Sequence, residues 1–330
     1  MKIEFDAIVS NPPYNLLDGG AGVSAVPIYN LFVDLAKKIG SPYISMIMPA
    51  KWYNSGRGLD KFRFDMLHDK SIRCIFDYVD PHDCFPTVDV AGGVCYFLRD
   101  NNYQGLCNFV SCKAGNKIGY LRDLSESEVL IRHQEELSIL DKVKIEGQTY
   151  MNNVVYSQKP FGLRTYIKPL DNGDILLRFN GGTGPYNSDL ITVNKNLINK
   201  WKIVTSRLTA EHAGETDKRG QKRIFSTLEI LKPGTICTET YMLLCTFDNE
   251  EECVNTMNYL KTRFVRSLIA MATATQQMSK ASFRFVPFQD MSHSWTDADL
   301  YAKYGLTKEE IAFIESTIRP IDNAELNNSL

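Results

Sequence analysis

A short apolar run near the start of the chain, Phe5 to Ser10 (FDAIVS), ends against two consecutive prolines, Pro12 and Pro13. Proline fixes φ and has no N–H to give to a neighbouring strand, so no central strand runs through it. A run of this kind reads as a buried parallel strand, which the chain leaves at Asn11 in a stiff extended turn. Residues 28–39 then place apolar side chains at 28, 31, 32, 35, 36 and 39, the period of a helix, and Gly40 closes it. Residues 43–48 read as a second buried strand, 58–68 as a helix, 72–79 as a third strand and 93–98 as a fourth. This alternation is half of a doubly wound α/β sheet. About four strands leave an edge uncovered, so the first hundred residues are expected to expose a sheet edge and apolar surface.

The remainder is of another kind. Residues 126–143 suggest an amphipathic linking helix. Residues 150–247 are rich in Gly, Pro, Thr and β-branched residues and read as mixed β structure with loops. Residues 248–275 read as one long helix capped by Asp248 or Asn249, and Thr307-x-x-Glu310 is a capping box for the last helix. The division expected is therefore 1–125, a linking helix within 126–150, and an α+β domain over 151–330. With 44% apolar and 23% charged residues the chain is neither disordered nor a coiled coil. It lacks an apolar stretch of the roughly 18 residues that would suggest a membrane span, and it opens on acids and prolines rather than a signal sequence, which implies a cytoplasmic protein with no membrane partner. The eight cysteines form no Cys-x-x-Cys pair and the five histidines lack zinc-ligand spacing, so reduced thiols and no metal are expected.

The chemistry lies in Asn11-Pro12-Pro13-Tyr14. An exocyclic aromatic amine is a poor nucleophile because its lone pair is delocalised into the ring. Accepting a hydrogen bond from each of its two N–H groups favours a tetrahedral nitrogen with the lone pair free to attack a methyl group. The Asn11 side-chain oxygen can accept one, and the Pro12 carbonyl, aimed outward by the stiff Pro-Pro turn, the other. Tyr14 offers a flat face to the base. The position, at the carboxyl end of a parallel strand, is where α/β sheets place ligands.

The stretch FDAIVSNPPYN resembles the catalytic motif of the adenine-N6 DNA methyltransferases, in its form Asn/Asp/Ser-Pro-Pro-aromatic. The helix of residues 29–39, then SPYISMIMPAKWY and KFRFDMLHDKSIRCIFDY, resemble the segments that follow this motif in restriction–modification methylases, and DCFPTVDVAGGVCYFLRD resembles their next loop and strand pair. The likeness covers about residues 3–100. It implies a Rossmann-like methyltransferase sheet followed by a target-recognition domain. It also implies catalytic roles for Asn11, Pro12, Pro13 and Tyr14, and a base flipped out of double-stranded DNA and held between Tyr14 and Phe85. The donor would be S-adenosylmethionine, and a cognate restriction endonuclease a possible partner. Such enzymes bind the donor through an earlier half-sheet with a glycine-rich turn and an acid, and neither precedes residue 1. The expectation is a fragment of a longer methylase, or a partner subunit that completes the cofactor site. The later glycine-rich candidate, Gly181-Gly182-Thr183-Gly184, is followed by Pro185, which obstructs a helix, so it reads as a tight loop.

Charge is unevenly spread. Residues 1–150 carry a net −3, residues 151–247 a net +5 and residues 248–330 a net −4. The positive segment suits a polyanion. Lys195, Lys200, Lys202 and Arg207 precede a dense patch, Lys218, Arg219, Gln221, Lys222 and Arg223, with Thr205 and Ser206 as polar companions. Farther on, Gln276, Gln277 and Lys280 follow the long helix. Arg and Gln can read base edges and Lys can meet phosphate. Two alternatives stand beside DNA adenine methylation. The tetrapeptide also occurs in methylases of RNA and of protein glutamine, and a DNA-specificity subunit can retain a vestigial catalytic half. There is no Asp-x-Lys or Glu-x-Lys pair of a magnesium nuclease.

Overall fold

The computed structural model describes residues 4–16, 26–54, 58–90, 92–210, 216–217, 219–273 and 277–321. The chain divides into two units, Met1–His133 and Gln134–Leu330.

In the first unit β1 (Ala7–Ser10) leads through α1 (Tyr29–Ile39) to β2 (Tyr43–Pro49), α2 (Asp60–Leu67), β3 (Ile72–Tyr78), β4 (Val94–Asp100), β5 (Cys107–Lys113) and β6 (Asn116–Arg122). These six strands form one sheet in the order β1-β2-β4-β3-β5-β6. The β1–β2 and β3–β5 pairs are parallel and the others antiparallel. One register row, Ser10–Met46–Phe97–Ile75–Phe109–Tyr120, crosses every strand. Its middle members are buried and belong to the unit's core. Each buried side chain of this size contributes roughly 1.5–3 kcal/mol, so this row ties β1 to the rest of the unit. The sheet exceeds the four expected strands because β5 and β6 add a hairpin, whose mixed sequence carries no continuous apolar run.

β1 is parallel to its neighbour, as expected, but it is not buried. It is an edge strand with no second neighbour among the described residues, and Val9 is 80% exposed. On α1, Tyr29, Val33 and Ala36 pack inward while Leu31, Leu35 and Ile39 are exposed. At a spacing of four residues these three form a second apolar stripe.

The second unit begins with α3 (Gln134–Val143), shorter than the linking helix expected from residue 126, because residues 127–133 run as irregular chain. Its strands are β7 (Ile175–Phe179), β8 (Gly182–Tyr186), β9 (Trp201–Ser206), β10 (Leu228–Leu231), β11 (Thr235–Cys237) and β12 (Tyr241–Phe247). They make two three-stranded sheets, β10-β9-β12 and β11-β7-β8, whose inner residues Leu177, Ile236, Val204 and Leu243 share one core. The helix expected over 248–275 is two, α4 (Glu250–Lys261) and α5 (Arg263–Ala272). Thr262 leaves helical geometry and its hydroxyl accepts from the Val265 N–H, so it ends one helix and caps the next. Asn249 caps α4, its side-chain oxygen accepting from Glu252 N–H at 2.8 Å. Then follow α6 (Asp297–Lys303) and α7 (Lys308–Thr317), the latter with the expected Thr307–Glu310 capping box. Of the eight cysteines, none is in a disulfide and six are buried. Among the described residues no helix is long and apolar enough to cross a membrane.

Glu310 also ties α7 to α3. Its carboxylate accepts from Lys142 Nζ at 2.6 Å and from Ser138 Oγ at 2.6 Å. Burial alone would push this carboxyl up, but Lys142, Ser138 and the capped backbone more than offset it and hold it below its usual 4.5. A carboxyl lowered in the folded state stabilises the fold above its unfolded value, and the gain is lost as pH falls through the lower, folded value. Glu310→Gln should therefore cost roughly 2 kcal/mol at neutral pH. Thermal melts across the acid range should show the difference between parent and variant shrinking below about pH 4.5; a difference that persists unchanged into acid would remove the charge from this explanation.

Candidate active site

The Asn-Pro-Pro-Tyr segment leaves β1 at the sheet edge. Asn11 and Pro13 are exposed, Pro12 is buried and Tyr14 is half-buried. The turn is held from behind. The Tyr14 carbonyl accepts from Ile28 N–H at 3.1 Å, Leu16 N–H donates to the Val26 carbonyl at 3.0 Å, and Asn15 pairs with Pro27. The motif is thus tied directly to the start of α1. Tyr14 packs against the unit's core, and its hydroxyl is buried with no hydrogen-bond partner among the described residues. Burial pushes that hydroxyl's pKa upward, and the nearby Cys84 and Cys95 thiols add to the shift. Tyr14 is therefore a neutral phenol whose ring, not its oxygen, meets the surroundings.

Cys84 belongs to the loop after β3. Phe85, next in sequence, is half-buried within a tight turn. The Asp80 side chain accepts from His82 N–H at 2.9 Å, and Phe85 N–H donates to the Pro81 carbonyl at 2.7 Å. The loop returns through Gly92 and Gly93, both at positive φ. At Gly93 a Cβ would lie 2.3 Å from the Tyr78 carbonyl oxygen and 2.8 Å from that of Val79. Only glycine permits the two ends of the loop to approach so closely.

Beneath this loop lies a feature that sequence reasoning missed. Asp77, near the end of β3, is fully buried. Arg132 Nε lies 3.2 Å from its carboxylate, the same guanidinium sits 5.1 Å over the Tyr53 ring, and its Nη2 donates to the Gly92 carbonyl at 2.6 Å. Burial raises the Asp77 carboxyl above its usual value although Arg132 pulls the other way. Arg132 thereby braces the return of the Phe85 loop from a position 55 residues along the chain from Asp77. No local spacing could reveal that pair.

With this geometry in view, comparison with known proteins is informative for the first unit. Residues 1–85 match the family model described as Eco57I restriction-modification methylase. A Mycoplasma pneumoniae protein described as an uncharacterized adenine-specific methylase is 40% identical over 106 residues, 31% of this chain and 25% of that protein. The match thus spans about a quarter of that relative. Among solved structures, the type IIG restriction endonuclease BpuSI superposes over 92% of this chain and 49% of its own, with 11% identity and a TM-score of 0.34. The type IIL restriction-modification enzyme MmeI in complex with DNA superposes over 87% and 45%, with 8% identity and a TM-score of 0.38. Neither likeness reaches the level of a shared fold.

Outside residues 1–85, the expected DNA-facing residues are dispersed. Lys218 and Gln276 lie outside the described residues. Arg219 is exposed, and Gln221, Lys222 and Arg223 are half-buried. The Gln221 amide donates to the Glu315 carbonyl at 3.2 Å. Lys222 is stitched to the end of α7 through Thr317 and Arg319. Arg266, 1% exposed, secures the junction by donating to the Arg319 carbonyl at 2.6 Å and to the Arg223 carbonyl at 3.4 Å. The patch is therefore a braced strip. Arg207 is half-buried; Gln277 and Lys280 are exposed.

Some polar companions are withdrawn from this role. Lys202 is fully buried, its ammonium donating to the carbonyls of Leu197, Ile198 and Lys200 at 3.0, 2.8 and 2.5 Å. Burial pushes it down to about 8. Thr205 is buried and donates to the Thr227 carbonyl at 2.6 Å. Lys195 pairs with Asp189 and Lys200 with Asp248. On strand β9 Lys202 and Thr205 are buried, which a count of charges cannot register. The glycine cluster closes the β7–β8 hairpin, with Phe179 paired to Gly182.

Gly93→Ala should leave the first unit folded but displace the Phe85 loop, at a cost of roughly 1–3 kcal/mol for the strained backbone. Thermolysin cleavage within residues 80–92, which offer Val88 and Val90 as apolar cleavage sites, should become faster than in the parent, whereas Gly115→Ala, at a turn with open space around it, should not change cleavage there. Equal rates for parent and Gly93→Ala would mean that the loop does not depend on this close approach.

Proposed function

We propose that this chain carries the base-binding and amine-activating part of a restriction–modification methylase acting on the N6 of adenine in double-stranded DNA. The single observation that carries this reading is the placement of Asn11-Pro12-Pro13-Tyr14 at the carboxyl end of β1, in a turn pinned to the residues that lead into α1. An adenine flipped out of the duplex would stack on Tyr14 with Phe85 over its other face. Its amino group would donate to the Asn11 side-chain oxygen and the Pro12 carbonyl, leaving the nitrogen lone pair directed at the incoming methyl. No strong base is needed at the amine, since its proton becomes acidic only as the new bond forms. The strip of Arg219, Gln221, Lys222 and Arg223, with Lys218, Arg207 and Lys280, would hold phosphates and base edges.

A methylase of this type takes its methyl group from S-adenosylmethionine. The described residues do not assemble a site that fits this donor, because the glycine-rich turn at 180–184 closes an antiparallel hairpin instead of leading a strand into a helix. We propose that the donor site is completed by a second segment or subunit seated along the open β1 edge and the Leu31, Leu35 and Ile39 stripe of α1. A cognate restriction endonuclease is the further partner that this reading entails.

Asn11→Ala in the assembled enzyme should lower methyl transfer by about 100-fold or more, as when a transition-state hydrogen bond is lost, with DNA affinity retained. Labelled transfer to duplex DNA, RNA and protein, in parallel, reads both the activity and the substrate class. Loss of DNA binding together with activity would make Asn11 a structural residue. Replacing Arg219, Lys222 and Arg223 by Ala should flatten the dependence of DNA affinity on salt by about 0.9 per phosphate contact removed; an unchanged slope would move the DNA surface elsewhere. Calorimetric titration of the chain alone with S-adenosylmethionine should give no binding, and micromolar binding would overturn the proposal of a completing partner.

A further inference from the structure

The second unit contains a cavity of about 490 Å³ whose walls include Asn153, Tyr156, Thr246, Phe247, Lys280 and Phe288. This lies within the roughly 300–1,000 Å³ of small-molecule sites. Several features form its walls. Strand β12 slips register against β9: Leu243 faces Val204 and Cys245 faces Ile203, so Leu244 is an extra residue. Such a bulge re-aims the side chains that follow it, here Cys245, Thr246 and Phe247. The facing wall is pinned by Tyr156 N–H to the Leu243 carbonyl at 3.0 Å, Met151 N–H to the Val286 carbonyl at 2.7 Å and Phe288 N–H to the Thr149 carbonyl at 2.7 Å. The Tyr156 hydroxyl lies 3.1 Å from the Thr246 hydroxyl, which holds its ring in place.

The charge is as informative as the shape. Among the described residues no acidic one lines the cavity. Lys280 is exposed and, among the described residues, has no ion pair or hydrogen bond to its ammonium. Lys195, Lys200 and Lys202 of the same unit all have partners. The cavity therefore sets one uncompensated cation beside three aromatic side chains and an exposed amide, Asn153. Aromatic rings stack nucleobases whatever their identity, an amide meets base edges, and a free ammonium meets phosphate.

We propose that this cavity is a nucleotide site, taking an unstacked base against Tyr156, Phe247 and Phe288 with its phosphate at Lys280. It is separate from the Asn11 site and does not depend on the methyl-transfer reading. The nucleotide can come from a DNA strand or from the free pool. The test is titration of the full chain with adenosine 5′-monophosphate, with a fluorescent duplex carrying one unpaired nucleotide, and with the same duplex fully paired. Each titration is repeated for Lys280→Ala and Tyr156→Ala, with a melting curve to verify folding. Tighter binding of the duplex with the unpaired nucleotide than of the paired one, lost about tenfold or more in each variant, assigns the site to DNA. Binding of the mononucleotide with the same losses, and no preference between duplexes, assigns it to a free nucleotide. If Lys280→Ala, whose exposed side chain is dispensable for folding, binds every probe as the parent does, the proposal fails. It also fails if inorganic phosphate displaces the nucleotides as well as adenosine 5′-monophosphate does, since the aromatic walls would then contribute nothing.

Discussion

The parallel pairing of β1 with β2 is the constraint on which the first unit depends. It sets Ser10 in the same buried row as Met46, Phe97, Ile75 and Phe109, so the residue at which the strand stops is located by the packing of four other strands. The two prolines then forbid further pairing, and Asn11 and the Pro12 carbonyl are presented where the backbone leaves the sheet. A turn made of flexible residues in the same place would have to be ordered by each ligand anew. Here proline geometry and the short pairing of residues 14–16 with residues 26–28 do that ordering in advance.

The second constraint is electrostatic. Burying Asp77 is costly, and Arg132 is the cation that offsets the cost. The same guanidinium also holds the Gly92 carbonyl, so the pair links the core of the sheet to the loop that carries Phe85. Arg266 has an analogous place in the second unit. It lies inside the unit, and its hydrogen bonds run to the backbone of Arg223 and Arg319, so a buried charge supports the basic strip above it. In both units an arginine braces the backbone of a segment distant in sequence. Planar, multiply donating guanidinium suits such a bridge better than a lysine would.

The two apolar surfaces of the first unit, the edge of β1 and the outer stripe of α1, adjoin the proposed site in sequence. Edge strands with exposed apolar side chains are normally blunted by charge, bulge or cover. Val9, at 80% exposure, has none of these on its own strand. The surface proposed for a completing partner and the strand that delivers Asn11 are then the same element, so under that proposal assembly and base binding would be joined at β1.

Much of the local order was legible in the residues. The stop at Pro12 and Pro13, the helical period of residues 28–39, the Gly40 closure and the Thr307–Glu310 cap are all short-range, and each depends on backbone sterics or on hydrogen bonds within a few residues. The match of residues 1–85 to a restriction-modification methylase family agrees with the resemblance carried by the Asn-Pro-Pro-Tyr stretch. Only the tertiary structure decided what neighbours did to those elements. It exposed β1, which composition alone would bury, and it split the helix of residues 248–275 at Thr262. It turned Lys202 and Thr205 inward, folded the glycine cluster into a hairpin, and joined Asp77 to Arg132 across 55 residues of chain. Burial and charge pairing depend on which segments meet in space, and in a chain of this topology those segments are far apart in sequence, so local residue patterns do not record them.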